Sequence, residues 1–171
     1  IADIIEFTPK RRQTLLFSAT FPDGIQQLAS NFLRDPQHIK ADTEHAEHQI
    51  EQHFYEITPE QREGAVERIL RHYRPEACVA FCFTKQQTQD LADYLNSEKI
   101  SALALHGDLE QRERDHVLDL FSNRSCSVLV ATDVAARGLD IESLPMVINV
   151  ELARDPEIHV HRIGRTGRAG A

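Results

Sequence analysis

The chain has 171 residues, of which 41% are hydrophobic and 27% are charged, and its formal net charge is −8. This composition favours a folded domain with its own core, and because no apolar run reaches membrane-spanning length and no signal peptide opens the chain, we expect a cytosolic protein. The negative charge excludes nucleic-acid binding through a general positive field, so any phosphate contact must be local.

The first part of the chain contains one predicted helix between two short predicted strands. Residues 13–17 form an apolar run typical of a buried strand, and residues 36–40 can form a second strand. Between them Pro22 opens a helix whose apolar side chains recur with helical spacing, at Ile25, Leu28, Ala29, Phe32 and Leu33. Residues 41–49 are polar and without period, which is typical of a linker.

After the linker, strands and helices alternate. Apolar runs predict strands at 50–57, 78–83, 100–105, 127–131 and 147–150. Three helices begin at polar residues three apart that can form a capping box, namely Thr58 with Gln61, Thr84 with Gln87 and Asp108 with Gln111. Strands that are apolar on both faces and alternate with helices predict an α/β domain with a doubly wound parallel sheet.

Neither a disulfide nor a metal site is predicted. Cys78, Cys82 and Cys126 are odd in number, lack the pair spacing of metal ligands and lie in or beside apolar runs, so we expect reduced thiols in the core. His45 and His48 lie close to two glutamates, but no second pair of ligands follows.

Polar segments follow the predicted strands, at the carboxyl edge where parallel sheets bind ligands. Gly107 follows one predicted strand, and Gln111 and Arg114 lie three residues apart in the first turns of the next helix. A glycine, a helix N-terminus and an arginine together can bind a phosphate. A second interpretation stays open, in which Gln111 only closes its capping box and Arg114 pairs with a carboxylate.

The loop after the next strand is kept slim by two alanines and a glycine. Thr132 and Arg137 can therefore reach a phosphate backbone, while Asp140 can accept a hydroxyl or a charged donor. Asp133 or Asp140 can instead be a structural carboxylate of the loop. Aromatic residues are scarce among these loops, which favours sugar and phosphate contacts and therefore binding that is insensitive to base sequence.

Near the C-terminus, Arg162, Arg165 and Arg168 recur at intervals of three with two glycines between them. A helix that runs into a turn would bring the three within reach of one ligand. Guanidinium groups grip phosphate oxygens in pairs, and glycine lets the backbone come close. The alternative is a solvated basic segment whose arginines pair with acidic neighbours.

Together these segments resemble the ordered motifs of the DEAD-box ATP-dependent RNA helicases, over nearly the whole chain. The matching segments are Ser18-Ala19-Thr20, His106 to Arg114, Thr132 to Asp140 and His161 to Arg168. Residues 109–112, 149–152 and 155–157 resemble bacterial members in particular. The resemblance implies that residues 1–40 end a first RecA-like domain, 41–49 link the domains, and 50–171 form a second RecA-like domain, truncated at its C-terminal end.

The resemblance also implies roles for single residues. RNA contacts through sugar and phosphate are implied for Gly107, Gln111, Arg114, Thr132 and Arg137. Contacts to ATP are implied for Gly138 and Asp140 near the ribose and for Arg165 and Arg168 at the triphosphate. A relay between nucleotide and domain contacts is implied for His161. Coupling of hydrolysis to strand separation is implied for Ser18, Ala19 and Thr20.

The family's activity is ATP hydrolysis coupled to RNA duplex unwinding, with ATP and Mg²⁺ held mainly by the first domain. We therefore expect these 171 residues to be inactive by themselves. We include ribosomal RNA and pre-ribosomal particles among the expected partners, with a role in ribosome assembly. A module that only docks on RNA or protein, and a DNA-directed helicase, are the competing hypotheses. Phe83, where many relatives have Asn, and His159, where Tyr is common, depart from the family pattern.

Overall fold

The structure is a computed structural model that describes residues 2–18, 23–39, 50–136 and 144–166. The chain divides into two compact units, Ile1–Asp42 and Thr43–Ala171. The predicted linker at 41–49, with His45 and His48, lies outside the described residues. No helix in the described part of the chain is long and apolar enough to cross a membrane.

Within its described residues, the first unit contains two helices, α1 (Ala2–Glu6) and α2 (Asp23–Phe32). The predicted helix is confirmed, and Ala29 on its apolar face is buried. The predicted strand at 13–17 is wrong, because the segment has no regular secondary structure, and Phe17 is 86% exposed. Residues 36–39 form no strand either. An extended segment becomes a strand only with a hydrogen-bonded neighbour, and the described part of this unit offers none.

The second unit opens with a 3₁₀ turn (Pro59–Gln61) and then alternates helices and strands. Its elements are α3 (Arg62–Tyr73), β1 (Cys78–Cys82), α4 (Lys85–Ser97), β2 (Ala102–Leu105), α5 (Gln111–Ser122), β3 (Val128–Thr132), α6 (Asp133–Ala136), β4 (Met146–Asn149) and α7 (Pro156–Ile163). All strand pairs are parallel, in the order β2-β3-β1-β4. The predicted doubly wound parallel sheet is confirmed.

Helices cover both faces of this sheet. Leu91 and Leu95 of α4 pack on one face with Val66 of α3, while Val117 and Phe121 of α5 pack on the other. Buried side chains on both faces explain why β1 is apolar throughout and why β3 is apolar up to its last residue, Thr132.

The three cysteines are free thiols in this interior, as predicted. Burial raises the pKa of Cys78 and of Cys82 to about 12, so both stay protonated near neutral pH.

Two local predictions for this unit are wrong. The predicted strand at 50–57 stays outside the sheet with exposed side chains, and its contacts are side-chain ones, such as Gln52 Oε1 to His159 Nε2 at 3.1 Å. The third capping box is displaced, because α5 begins after Glu110, whose amide donates to Glu113 Oε2 at 2.9 Å. Asp108 instead forms an ion pair with Lys85, so its carboxylate is engaged outside the helix. The boxes at Thr58 and Thr84 are confirmed.

Candidate nucleic-acid interface

The carboxyl ends of the central strands lie side by side. Cys82 pairs with Thr132, and Phe81 pairs with both Ala131 and Asn149, so the loops after β1, β3 and β4 start at one level. Ligands bind at this edge of parallel sheets because loops and helix N-termini converge there. The side chains of these loops therefore define the candidate site.

Arg162 is the centre of this edge. Although it is an arginine, it is only 2% exposed. Its Nε and Nη2 donate to the two carboxylate oxygens of Asp133, at 2.7 and 2.8 Å, and its Nη1 donates to Asn149 Oδ1 at 3.0 Å and to the Glu151 carbonyl at 2.7 Å. Its guanidinium also lies 5.1 Å from the ring centroid of Phe81. One buried cation thus ties the loop after β3 to the loop after β4.

The chain places Arg162 there through α7. Asp155 caps this helix by accepting from the Glu157 amide at 2.9 Å, and Pro156 opens it. The helix contacts β4 and carries Arg162 in its last turn. The expectation that Arg162 shares one ligand with Arg165 and Arg168 is therefore wrong for Arg162, because Asp133 already binds its guanidinium through both carboxylate oxygens. Asp133 is the structural carboxylate that one interpretation of the loop expected.

Glu151 is a second hub, placed directly after β4. Its side chain is 14% exposed, and it accepts from the Phe83 amide at 3.1 Å and from Gln87 Nε2 at 2.9 Å. It also pairs with Arg62 Nη1 at 3.2 Å. Sequence reasoning assigned it no site role, although a carboxylate at the carboxyl end of an apolar strand was a usable signal. Glu151 fixes the loop after β1 against the loop after β4.

Arg114 brings the two segments predicted to bind RNA together. Its Nη2 donates to the Ala135 carbonyl, which joins α5 to α6. Thr132, 8% exposed, accepts from the Ala135 amide through its Oγ1 at 3.4 Å. Both residues therefore hold the loop after β3. Among the described residues, Arg114 forms no ion pair with a carboxylate.

The turn after β2 is the outer part of the same edge. Gly107 is exposed, and a Cβ added there would meet nothing within 4 Å. Gln111 is exposed at the start of α5 and donates to Asp115 Oδ1 at 2.7 Å, so it does not close a capping box. The exposed Lys85–Asp108 pair links this turn to the loop after β1, and the hydrogen bond from Lys85 lowers the pKa of Asp108.

The nucleotide residues are described only in part. Arg165 lies in the turn after α7, where its amide donates to the Arg162 carbonyl at 3.1 Å and its carbonyl accepts from the Leu144 amide at 2.9 Å. His161 is exposed on α7. Ser18 is described in the first unit. The remaining predicted residues lie outside the described ranges: Ala19, Thr20, Arg137, Gly138, Asp140 and Arg168.

The donors at this edge suit phosphate better than a metal ion. Arg165 lies in the turn after α7, and a guanidinium group is chemically well matched to phosphate oxygens. Among the described residues, no group of three or more His, Cys, Asp or Glu side chains could hold a metal. A phosphate-bearing ligand therefore fits these residues, whereas a magnesium ion would need ligands from elsewhere.

Comparison with known proteins agrees with this geometry. The family described as helicase conserved C-terminal domain matches residues 61–170. The ATP-dependent RNA helicase DbpA of Escherichia coli is 55% identical over 99% of this chain and 37% of its own length. Saccharomyces cerevisiae Dbp5 bound to RNA and ADP BeF3 superposes with a TM-score of 0.82 at 33% identity, over 98% of this chain and 45% of that one. A DEAD box protein from Methanococcus jannaschii gives 0.69 at 40% identity, over 99% and 46%.

Proposed function

The chain belongs to the helicase conserved C-terminal domain family, with DEAD-box RNA helicases as its relatives, and we propose that it works as the second RecA-like domain of an ATP-dependent RNA helicase. It spans 37% of the length of DbpA and less than half of the two solved chains, so the activity proposed is that of a longer protein. The observation that carries the proposal is the Arg162 network. Arg162 binds Asp133, in the segment after β3 that is proposed to contact RNA, and its carbonyl accepts from the amide of Arg165, which is proposed to contact ATP.

The domain organisation is part of the proposal. Residues 1–40 would end the first RecA-like domain, 41–49 would link the domains, and 50–171 would belong to the second domain. The division into two compact units at Asp42 and Thr43 supports this arrangement. Ser18, Ala19 and Thr20 would then lie on the first domain, where they would couple hydrolysis to strand separation.

RNA would lie along the outer part of the carboxyl edge. The residues proposed to contact its sugar and phosphate groups are Gly107, Gln111, Arg114, Thr132 and Arg137. The exposed turn at Gly107, where an added Cβ would meet nothing within 4 Å, lets a backbone approach closely. Arg114 and Thr132 would in addition hold α6, the helix that directly precedes Arg137 in the sequence. Contacts of this kind carry no base sequence information.

ATP would meet the inner part of the edge. Arg165 and Arg168 would bind its phosphates, Gly138 and Asp140 would lie at its ribose, and His161 would relay nucleotide contacts to the partner domain. When bound, ATP supplies the phosphoryl group whose transfer to water develops charge that arginines can offset. Arg162 would fix the turn that presents Arg165, through the bond from the Arg165 amide to the Arg162 carbonyl. Mg²⁺ would be bound mainly by the first domain.

The wider setting is also proposed. Ribosomal RNA and pre-ribosomal particles as partners, with a role in ribosome assembly, rest on the sequence resemblance alone. A cytosolic location is likewise proposed from the sequence expectation alone.

The test is RNA-stimulated ATP hydrolysis by the full-length protein. Arg168→Ala should lower the turnover rate on the order of a thousandfold while RNA binding largely remains, because an arginine at the transferring phosphate acts on the transition state. Arg124→Ala, a change of the same type in an exposed turn before β3, is the matched control and should keep wild-type turnover. Near-normal hydrolysis by Arg168→Ala would refute the assigned role. Equal stimulation by DNA would favour a DNA-directed helicase instead.

A further inference from the structure

Phe83 is an exposed aromatic ring in the middle of the carboxyl edge. It follows β1, the strand that lies between β3 and β4, and it is 39% exposed. Two guanidiniums lie within cation–π distance of its ring, Arg154 at 5.8 Å and Arg162 at 5.7 Å from the centroid. The sequence predicts few aromatic side chains in these loops and places Phe83 at the end of a buried strand.

The position of this ring is set by groups that are themselves fixed. The Phe83 amide donates to Glu151 Oε2 at 3.1 Å, so the backbone that carries the ring is anchored. The guanidinium of Arg162 is held by Asp133, Asn149 and the Glu151 carbonyl. Because the backbone of Phe83 and one flanking guanidinium are already held, a ligand that covers the ring has fewer groups left to order.

The ring also lies close to the residues proposed to contact RNA. Cys82 pairs with Thr132, so Phe83 emerges beside Asp133, one strand away, and the turn at Gly107 follows β2, the next strand. Two strand spacings amount to about 10 Å. A single strand held by its phosphates along β2 and β3 can therefore bring a base to the ring.

A purely structural role explains only part of this arrangement. Packing against the buried Arg162 accounts for the covered portion of the ring. It leaves unexplained an exposed portion of 39% that is flanked by Arg154, which is itself exposed. An aromatic ring beside an arginine is the combination on which unpaired bases stack in proteins that bind single-stranded nucleic acid.

We propose that Phe83 and Arg154 form a stacking site for one unpaired RNA base, which adds a base contact to an interface that otherwise meets sugar and phosphate. The inference rests on the proposed function and extends it. Every base presents a π-face, so the contact favours unpaired over paired RNA without selecting a sequence. An RNA base held here cannot remain stacked within a duplex.

The test uses the full-length protein and a short oligouridylate, with affinity measured by fluorescence anisotropy. Phe83→Leu, which keeps an apolar cover on Arg162, should lower RNA affinity by about fivefold or more, whereas Phe83→Trp should retain it. Arg154→Gln, a change of an exposed side chain, should also weaken binding. Tyr73→Leu is the matched control, since Tyr73 is an aromatic of similar exposure, 42%, at the end of α3, and it should leave affinity unchanged.

Abasic nucleotides then locate the contact. Replacing single uridines one at a time should reveal a position at which wild-type protein loses affinity and Phe83→Leu does not. Unchanged RNA affinity in both Phe83→Leu and Arg154→Gln would overturn the stacking site alone. A higher KM for ATP with normal RNA affinity would also overturn it, because the ring would then serve the base of the nucleotide. Wild-type protein that binds no RNA would overturn the proposed function as well.

Discussion

The two edges of the sheet use charged side chains in opposite ways. At the carboxyl edge Arg162 and Glu151 are buried or nearly so, and each is bonded to several groups from different loops. At the amino edge Arg74, Lys99 and Arg124 occupy exposed turn positions with φ of 47°, 65° and 65°. These three cations follow the C-termini of helices, where a positive charge complements the helix dipole.

The difference shows at which edge of the sheet the geometry of the loops is held in place by buried charge. Burying charge is costly unless its polar atoms find partners, so a buried cation with four hydrogen bonds implies that the surrounding loops must hold one geometry. Cations in exposed turns impose no such demand. We infer that the carboxyl edge is built for precise placement of a ligand, whereas the three turn cations of the amino edge only complement the ends of helices.

The largest expected effect is that of Arg162→Met. The change leaves Asp133 without its partner and also removes donors from Asn149 Oδ1 and the Glu151 carbonyl, so the free energy of unfolding should fall by about 3 kcal/mol. Urea unfolding measures it. Arg124→Met, at the opposite edge, is the matched control and should stay within about 0.5 kcal/mol of wild type. Equal losses in the two variants would erase the distinction between the edges.

Glu151→Ala should have the next largest effect. It leaves the Phe83 amide and Gln87 Nε2 without their acceptor, which should cost about 1–2 kcal/mol of unfolding free energy. Glu76→Ala, an exposed carboxylate just before β1, serves as the control in the same urea titrations and should change little. A Glu151 variant as stable as the Glu76 variant would show that this hub contributes nothing to the carboxyl edge.

The smallest effect is expected at the exposed Lys85–Asp108 pair. The pKa of Asp108 is lowered in the folded protein, so its contribution to stability is present above the ordinary carboxylate pKa and is lost as pH falls through the lowered value. Carboxyl-carbon NMR titration should show Lys85→Met raising the pKa of Asp108. Lys99→Met, at the amino edge, should leave that titration where it was. If the pKa of Asp108 is the same in the Lys85→Met variant as in wild type, the Lys85–Asp108 pair does not link the loops after β1 and β2.

The features that could be predicted from the sequence are those set by residues close together in the chain. The box of Thr84 and Gln87 forms as expected, since both partners lie within one turn of the same helix. The alternation of apolar strands and helices likewise fixed the fold class. Two nearby carboxylates, Asp108 and Glu110, can each cap α5. Glu110 is the cap in the structure, because the carboxylate of Asp108 binds Lys85, which lies 23 positions away in the sequence.

Long-range partners account for what the sequence could not predict. Arg162 and Asp133 lie 29 positions apart, and only the folded sheet brings them together. For that reason the spacing of the three arginines predicts one shared ligand site, although Arg162, the first of them, is structural. The strand predicted at 50–57 failed for a related reason, because a strand needs a partner as well as an apolar pattern. Of the candidate site, the residue types were predictable and the division between structural and ligand-facing side chains was not.

The central claim is that Arg162 builds the site while Arg165 and Arg168 serve the ligand. A crystal structure of the full-length protein with RNA and ADP BeF3 tests it most directly. We expect Arg162 to keep both bonds to Asp133, and the guanidiniums of Arg165 and Arg168 to lie within hydrogen-bond distance of phosphate or fluoride. Arg165 and Arg168 held in ion pairs within the domain and turned away from the nucleotide, or Arg162 released from Asp133 onto the ligand, would contradict the account.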